Sequence, residues 1–270
     1  MQAQFFCACI YDDIKMKREI TAEDIVEALR LYADDEQRRV LMRFFKTGKG
    51  QYGEGDSFLG LRVPQTRSVV REARRQVAMD EIERLLYSPL HEARLAGLLL
   101  LVEEMKVALP RRRDEPTAGA GRREELARFY LRHARQANNW DLVDLSCGYI
   151  LGVHLLHAGT DGRMPDRGVL DTLAASDNLW EQRIAIVSTL ELIRARQFDD
   201  TLRIASLLLD HPHDLIHKAV GWMLREVGKR DKDVLVDYLE ANHARMARTT
   251  LRYAIEKFPD DERRAWLQRR

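Results

Sequence analysis

Apolar residues recur along most of this chain at the three-to-four-residue spacing that places side chains on one face of an α-helix. At Thr21 the run TAED predicts a helix start. The threonine hydroxyl caps an early amide and Asp24 answers three residues later, ahead of an apolar stripe at Ile25, Leu29 and Tyr32. The same periodicity predicts helices through VLMRFFK (40–46), TRSVVREARRQVA (66–78) and LHEARLAGLLLLVEEM (90–105). Period-two alternation of strand length is missing, so the expected fold class is all-α. Two glycine-containing stretches interrupt the pattern, TGKGQYGEGDSFLGLRVP at 47–64 and PRRRDEPTAGAGRREE at 110–125. The second reads as a flexible, charged surface insertion.

A longer regularity lies further on. Trp140, Trp180 and Trp222 stand 40 and 42 residues apart in NNWDLVD, DNLWEQR and AVGWMLRE. That interval suits HEAT-type repeats of about 40–47 residues, each built from paired helices. Aligned on tryptophan, Arg183 and Arg225 share the third following position, and Asp144 and Glu226 the fourth. Stacked helix pairs make a curved solenoid whose equivalent positions line one concave surface. The plainer alternative is three core tryptophans that anchor helix packing.

Composition narrows the classes. With 270 residues the chain is long enough for a sizeable core. The 44 basic and 43 acidic residues leave a net charge of +1, so binding to nucleic acid has to rest on local patches. Cys7, Cys9 and Cys147 make neither a CxxC pair nor a disulfide framework, which fits a reducing cytoplasm. The apolar run Phe5–Ile10 falls well short of the ~20 residues a membrane helix needs. A soluble, cytoplasmic protein is expected.

Several motifs carry no strong chemistry. GKGQYGEG is neither a Walker loop nor a dinucleotide fingerprint. His213 and His217 lie four apart without the interposed glutamate of a zinc helix, and read as capping or surface histidines. Ser146 and Cys147 lack a nucleophile context. No metal site or cofactor is expected. Trp140 and Asp144, by contrast, share a helical face, and an indole and a carboxylate both attract cations. Lys218, Trp222, Arg225 and Lys229 follow the i, i+4, i+7, i+11 rule and share another, which reads as a phosphate-tracking surface or as a solvated charged face.

Taken together, NNWDLVDLS, DNLWEQRIAIVSTL, KAVGWMLREVGKRD and LRYAIEKFP resemble the AlkD-like DNA alkylation repair family, the HEAT-like-repeat DNA glycosylases. FFKTGKGQYGEGDSFLGLRVP resembles that family's N-terminal segment, and the resemblance covers roughly residues 40–260 in order. It implies an all-α superhelical solenoid of HEAT-like repeats whose concave groove holds duplex DNA. The implied reaction is hydrolysis of the N-glycosidic bond of N3- or N7-alkylated purines by a monofunctional, cofactor-free enzyme.

The family's essential aspartate then falls on Asp144, its groove tryptophans on Trp140 and Trp222, and its groove arginine on Arg183. A family tyrosine and glutamine match Phe44 and Arg62, two departures that bear on lesion preference or phosphate contacts. Lys218, Arg225 and Lys229 complete the expected DNA-binding set. Residues 1–20 are expected as a poorly ordered extension, and 21–270 as one HEAT-like-repeat domain with the charged insertion near 110–125, acting as a monomer on duplex DNA that contains alkylated purines. Two other readings stand beside this one: a non-catalytic HEAT-repeat binder of branched or distorted DNA, and a protein-interaction scaffold.

Overall fold

The computed structural model describes residues 19–112 and 114–269, and among these the fold is all-α. The expected extension at 1–20 falls almost wholly outside them, as do Cys7 and Cys9. The only β features among the described residues are two isolated bridges, Ile20–Val77 and Ser57–Leu90. In chain order the helices are α1 (Ala22–Arg30), α2 (Asp35–Phe44), α3 (Val63–Ala73), α4 (Met79–Leu86), α5 (His91–Val107), α6 (Ala120–Arg132), α7 (Trp140–Asp144), α8 (Val153–Leu155), α9 (Gly168–Ala174), α10 (Leu179–Val187), α11 (Leu190–Arg194), α12 (Asp199–Leu207), α13 (Asp214–Gly228), α14 (Lys232–Asn242), α15 (Arg248–Ala254) and α16 (Asp260–Gln268). No helix among the described residues is long and apolar enough to cross a membrane.

The packing groups the helices into two compact units. The first holds α1–α5 and α7; the second holds α6 and α8–α16. Within each, helices pack mainly on partners close in the chain: α4 on α5, α9 on α10, α13 on α14 and α15. Such local pairing is how helical-repeat folds bury their apolar faces. In the first unit α5 is the central element, buried on nearly every side from His91 to Met105. That explains why its sequence is apolar all round rather than striped.

Local signals behaved as the sequence predicts at the α1 start. The Thr21 hydroxyl accepts from the Asp24 amide at 3.2 Å, and the Asp24 carboxylate accepts from the Thr21 amide at 2.9 Å. Helix ends were less legible: α2 stops at Phe44 ahead of Lys46, which takes φ 52°, and α3 stops at Ala73 ahead of Arg75, at φ 66°. The 110–125 stretch is only in part a surface insertion. Helix α6 begins inside it, and Arg123 is 1 % exposed, donating to the carbonyls of Ala118 (2.5 Å), Ala158 (2.9 Å) and Pro116 (3.4 Å).

The glycine-containing stretch at 47–64 is pinned rather than loose. The buried Glu92 carboxylate accepts from the amides of Leu59, Gly60 and Leu61 at 3.0, 2.9 and 3.1 Å. Gly60 sits at φ +96°, and a Cβ there would lie 2.1 Å from the Asp34 carbonyl oxygen. Both the left-handed backbone and the main-chain contact require glycine. Gly60→Ala is therefore expected to cost about 2–3 kcal/mol, read as a lowered urea midpoint at unchanged slope.

Candidate active site

Helix α7 is short and begins abruptly. Asn139 caps it, its side-chain oxygen accepting from the Trp140 amide at 2.9 Å, and Ser146 Oγ donates back to the Leu142 carbonyl at 2.6 Å near its end. One turn separates Trp140 from Asp144, and both side chains are half-buried. They line a cavity of about 410 Å3 in the first unit, together with Leu41, Phe44, Phe45, Phe58, Arg62, His91 and Asp141. Four residues that the resemblance singles out, Phe44, Arg62, Trp140 and Asp144, are thus brought to one place.

The cavity wall is an aromatic assembly. Phe45 stacks on Phe58 with centroids 5.2 Å apart at 15°, and on Trp140 at 5.3 Å and 24°. Phe44 meets Trp140 edge-on at 5.8 Å and 76°. Such offset and edge-to-face pairs contribute about 0.5–1.5 kcal/mol each beyond burial, and they fix the indole plane. Phe45 and Phe58 are buried, whereas Phe44 is 59 % exposed at the mouth.

Beneath these rings lies a buried charge network that sequence reasoning missed. His91 Nδ1 is 3.0 Å from Asp56 Oδ2, and Nε2 is 2.9 Å from Asp141 Oδ2. Arg94 binds the other Asp56 oxygen and donates to the Ser88 carbonyl at 2.8 Å. Asn138 and Asn139 donate to Asp56 as well, at 3.4 and 3.3 Å. Two carboxylates therefore face two cationic groups, and the set ties the 47–64 stretch, the head of α5 and the start of α7 together. The one hint in the sequence is the stretch HEAR at the head of an apolar run; nothing in its spacing points to Asp56 or Asp141.

Burial alone would push the His91 pKa down. Hydrogen bonds that the ring donates to Asp141 and Asp56, and the charges of those carboxylates, outweigh it and raise the value from 6.5 to about 9. Asp56 is also desolvated, yet His91, Arg94 and Asn139 hold its carboxyl below the usual range. Since the folded value of His91 lies above the unfolded one, its contribution is fully present below about pH 6.5 and is lost as pH rises through about 9. Denaturant titrations at pH 6, 7.5 and 9 should show stability falling across that window, by at most roughly 3 kcal/mol.

In the second unit the expected basic face exists as a helix face, but it is neutralised from within. Lys218, Trp222 and Arg225 lie on α13, and Lys229 caps its C-terminal end. Lys218 pairs with Asp214 at 2.7 Å, Lys229 with Glu226 at 2.6 Å, and Arg225 with Glu256. The resemblance puts Arg183 in the groove; here it is 5 % exposed, and its guanidinium donates to the Leu215 carbonyl at 2.6 Å. A main-chain oxygen at the first turn of α13, rather than solvent, meets that charge. His213 caps the same helix, its Nδ1 accepting from the Leu215 amide at 3.1 Å.

The tryptophan spacing does not mark equivalent positions. Trp140 and Trp180 follow asparagine caps at the starts of α7 and α10, whereas Trp222 is in the middle of α13. Trp180 is buried, as the core alternative expects, and Trp222 is half-buried.

Residues 25–258 match a family model described as DNA alkylation repair enzyme. A solved structure described as a predicted DNA alkylation repair enzyme from Enterococcus faecalis aligns over 84 % of this chain and 97 % of its own, at 15 % identity and a TM-score of 0.59, a likeness of fold. No curated protein matches.

Proposed function

The chain belongs to the DNA alkylation repair enzyme family, and from that premise we propose that it is a monofunctional DNA glycosylase that hydrolyses the N-glycosidic bond of cationic N3- or N7-alkylated purines in duplex DNA. The observation that carries the reading is Asp144 one helical turn from Trp140, both lining the same aromatic cavity.

Alkylation at N3 or N7 gives the purine a positive charge and makes it a good leaving group before the protein acts. A second carboxylate serving as general acid, the usual partner in glycoside hydrolysis, is then unnecessary. As the base departs with the bonding electron pair, positive charge moves to the deoxyribose. The Asp144 carboxylate stabilises that charge and orients a water, whose oxygen bonds to the anomeric carbon as Asp144 takes up its proton and passes it to solvent. Trp140, held by Phe45 on one side and Phe44 at its edge, offers an indole face to the cationic nucleotide, an attraction of about 0.5–2 kcal/mol. Such pre-set groups need no reorganisation during reaction.

On the second unit, Lys218, Arg225 and Lys229 exchange their carboxylate partners for phosphate oxygens. Trp222 adds an indole to that surface, and Arg183 acts from beneath by holding the start of α13. Affinity for duplex should fall steeply with salt. The test is incubation of the purified protein with duplex containing 7-methylguanine, with released base quantified by mass spectrometry. Release of 7-methylguanine well above that of hypoxanthine, a neutral lesion, supports the reading. Salt-sensitive binding without release would reduce the protein to a non-catalytic DNA binder, and absence of both would favour the scaffold.

A further inference from the structure

Carboxylates already satisfy the cations around α13, whereas α3 of the first unit carries a line of cations without partners. The helix buries Thr66, Val69, Val70 and Ala73 on one side. Arg67 and Arg71 lie on it and Arg74 caps its C-terminal end; all three are exposed, and their i, i+4, i+7 spacing puts them on one side. None of their guanidinium groups has a hydrogen bond or an ion pair among the described residues. Exposed cations elsewhere in this unit do find acids where a helix supplies them at the right spacing: Arg38 meets Asp35 at 3.0 Å, Arg84 meets Glu81 at 3.0 Å and Lys106 meets Glu103 at 2.6 Å. On α3 the single acid, Glu72, stands off that spacing from each arginine, and the neighbours at i+4 and i+3 are like charges, an arrangement that mildly destabilises a helix.

The line starts at the candidate site. Val63, four residues before Arg67, lines the cavity that also holds Trp140 and Asp144. Arg62, the residue that caps the start of α3, lines it too, and is exposed and unpaired like the others. In a chain with a net charge of only +1, this is a local excess of positive charge with one end at the catalytic aspartate.

We propose that α3 tracks the phosphate backbone of the duplex beside the lesion, with Arg67, Arg71 and Arg74 on successive phosphates of one strand and Arg62 on the phosphate next to the cavity. The proposal rests on the DNA-binding part of the reading above and names the surface that supplies it; hydrolysis is not assumed. At 1.5 Å per residue the line from Arg67 to Arg74 runs for about 10 Å. One strand carries a phosphate about every 3.4 Å along the duplex axis, so the line spans about three of them.

Arginine suits that task, because its planar fork of N–H donors matches two phosphate oxygens at once and stays charged at any working pH. Contacts of this kind read no sequence; they set the position of the strand, and here they hold its sugar in front of Asp144. The cations around α13 must each give up a carboxylate before taking a phosphate, whereas those of α3 give up only water. The larger share of the salt-dependent affinity therefore belongs to α3.

The test measures binding of undamaged duplex by the full chain, so it does not depend on release. Fluorescence anisotropy gives the affinity over a range of salt for wild type, for Arg67→Gln/Arg71→Gln, for the same pair with Arg74→Gln added, and for the control Arg39→Gln/Arg43→Gln. Arg39 and Arg43 are equally exposed and unpaired, but they lie on the side of α2 turned from Leu41, which lines the cavity. The expected result is a salt slope that falls by about 0.9 for each α3 arginine removed, with affinity at low salt at least tenfold weaker in the α3 pair. The control pair, with the same change of charge, should stay within twofold of wild type. Methylphosphonates, which neutralise single phosphates, are then placed in groups of three on each side of a tetrahydrofuran site, a stable analogue of the sugar left after release. One group should weaken wild-type binding at least tenfold and the triple variant less than twofold.

The outcomes separate this proposal from the glycosylase reading. An unchanged slope in the α3 variants overturns the proposal and leaves the line to an acidic protein partner; release of 7-methylguanine by wild type then still stands. A lowered slope without any release keeps the α3 surface and overturns the glycosylase. Equal losses in the control pair overturn the proposal in favour of a diffuse field, and absence of salt-dependent binding by wild type overturns it outright. If the triple variant fails to fold, as read by circular dichroism, the pair and the single Arg67→Gln and Arg71→Gln decide.

Discussion

Asp144→Asn is expected to lower single-turnover release of 7-methylguanine by about 10²–10³-fold while affinity for the same duplex stays within about twofold. Asparagine keeps the shape and removes the charge, so what is lost is attraction to a sugar that becomes cationic only as the bond breaks. An interaction made only in the transition state lowers the rate of the chemical step and leaves ground-state binding alone. The position suits the experiment, because Asp144 is half-buried at the cavity wall. The thermal midpoint of the variant, measured beside the rate, tells a loss of charge from a loss of folding. Equal losses in rate and in affinity would instead assign Asp144 to binding, and an unchanged rate would move the catalytic centre elsewhere.

How much of this was legible in the sequence depended on the distance over which each signal acts. Signals within one turn of helix came through. The Thr21–Asp24 capping box forms, and Trp140 and Asp144, four apart, reach the same cavity. Residue counting over longer spans failed for the tryptophans: a spacing of 42 put Trp222 in mid-helix while Trp180 sits at a helix start, because loops of different length intervene. Lys218, Trp222 and Arg225 fall on α13 as their spacing predicts, yet the charges around them were not legible, since Glu256 reaches Arg225 from the turn after α15. Arg183 was marked by its place after Trp180 and by the resemblance, and only tertiary packing reveals the Leu215 carbonyl beside it. The Asp56–His91–Asp141 set spans 35 and 50 residues with no motif to connect them. Ion pairs of that range are a product of topology, which periodicity does not encode.

Asp56→Ala is expected to cost about 3–5 kcal/mol of folding stability, the range for removing one partner from a buried charge set. Asp56 accepts from His91, Arg94, Asn138 and Asn139, so truncation takes the acceptor from four donors, leaving buried His91 with Asp141 and buried Arg94 with the Ser88 carbonyl. One escape is for His91 to give up its proton. The fall in stability between about pH 6.5 and pH 9 that the wild type should show is then flattened in the variant. Asp56→Asn fills the same volume and keeps one acceptor, so its loss should be intermediate.

The same substitution should also reach catalysis, because Asn138, Asn139 and Asp141, which flank Trp140, hang from this network. At a temperature where Asp56→Ala is fully folded, release of 7-methylguanine should still be slowed. Denaturation curves for the three proteins at pH 6.5 and pH 9 decide the matter. An Asp56→Ala midpoint close to that of the wild type at pH 6.5 would mean that solvent or a rearranged partner compensates the buried cations, and that α7 is held by its aromatic contacts instead.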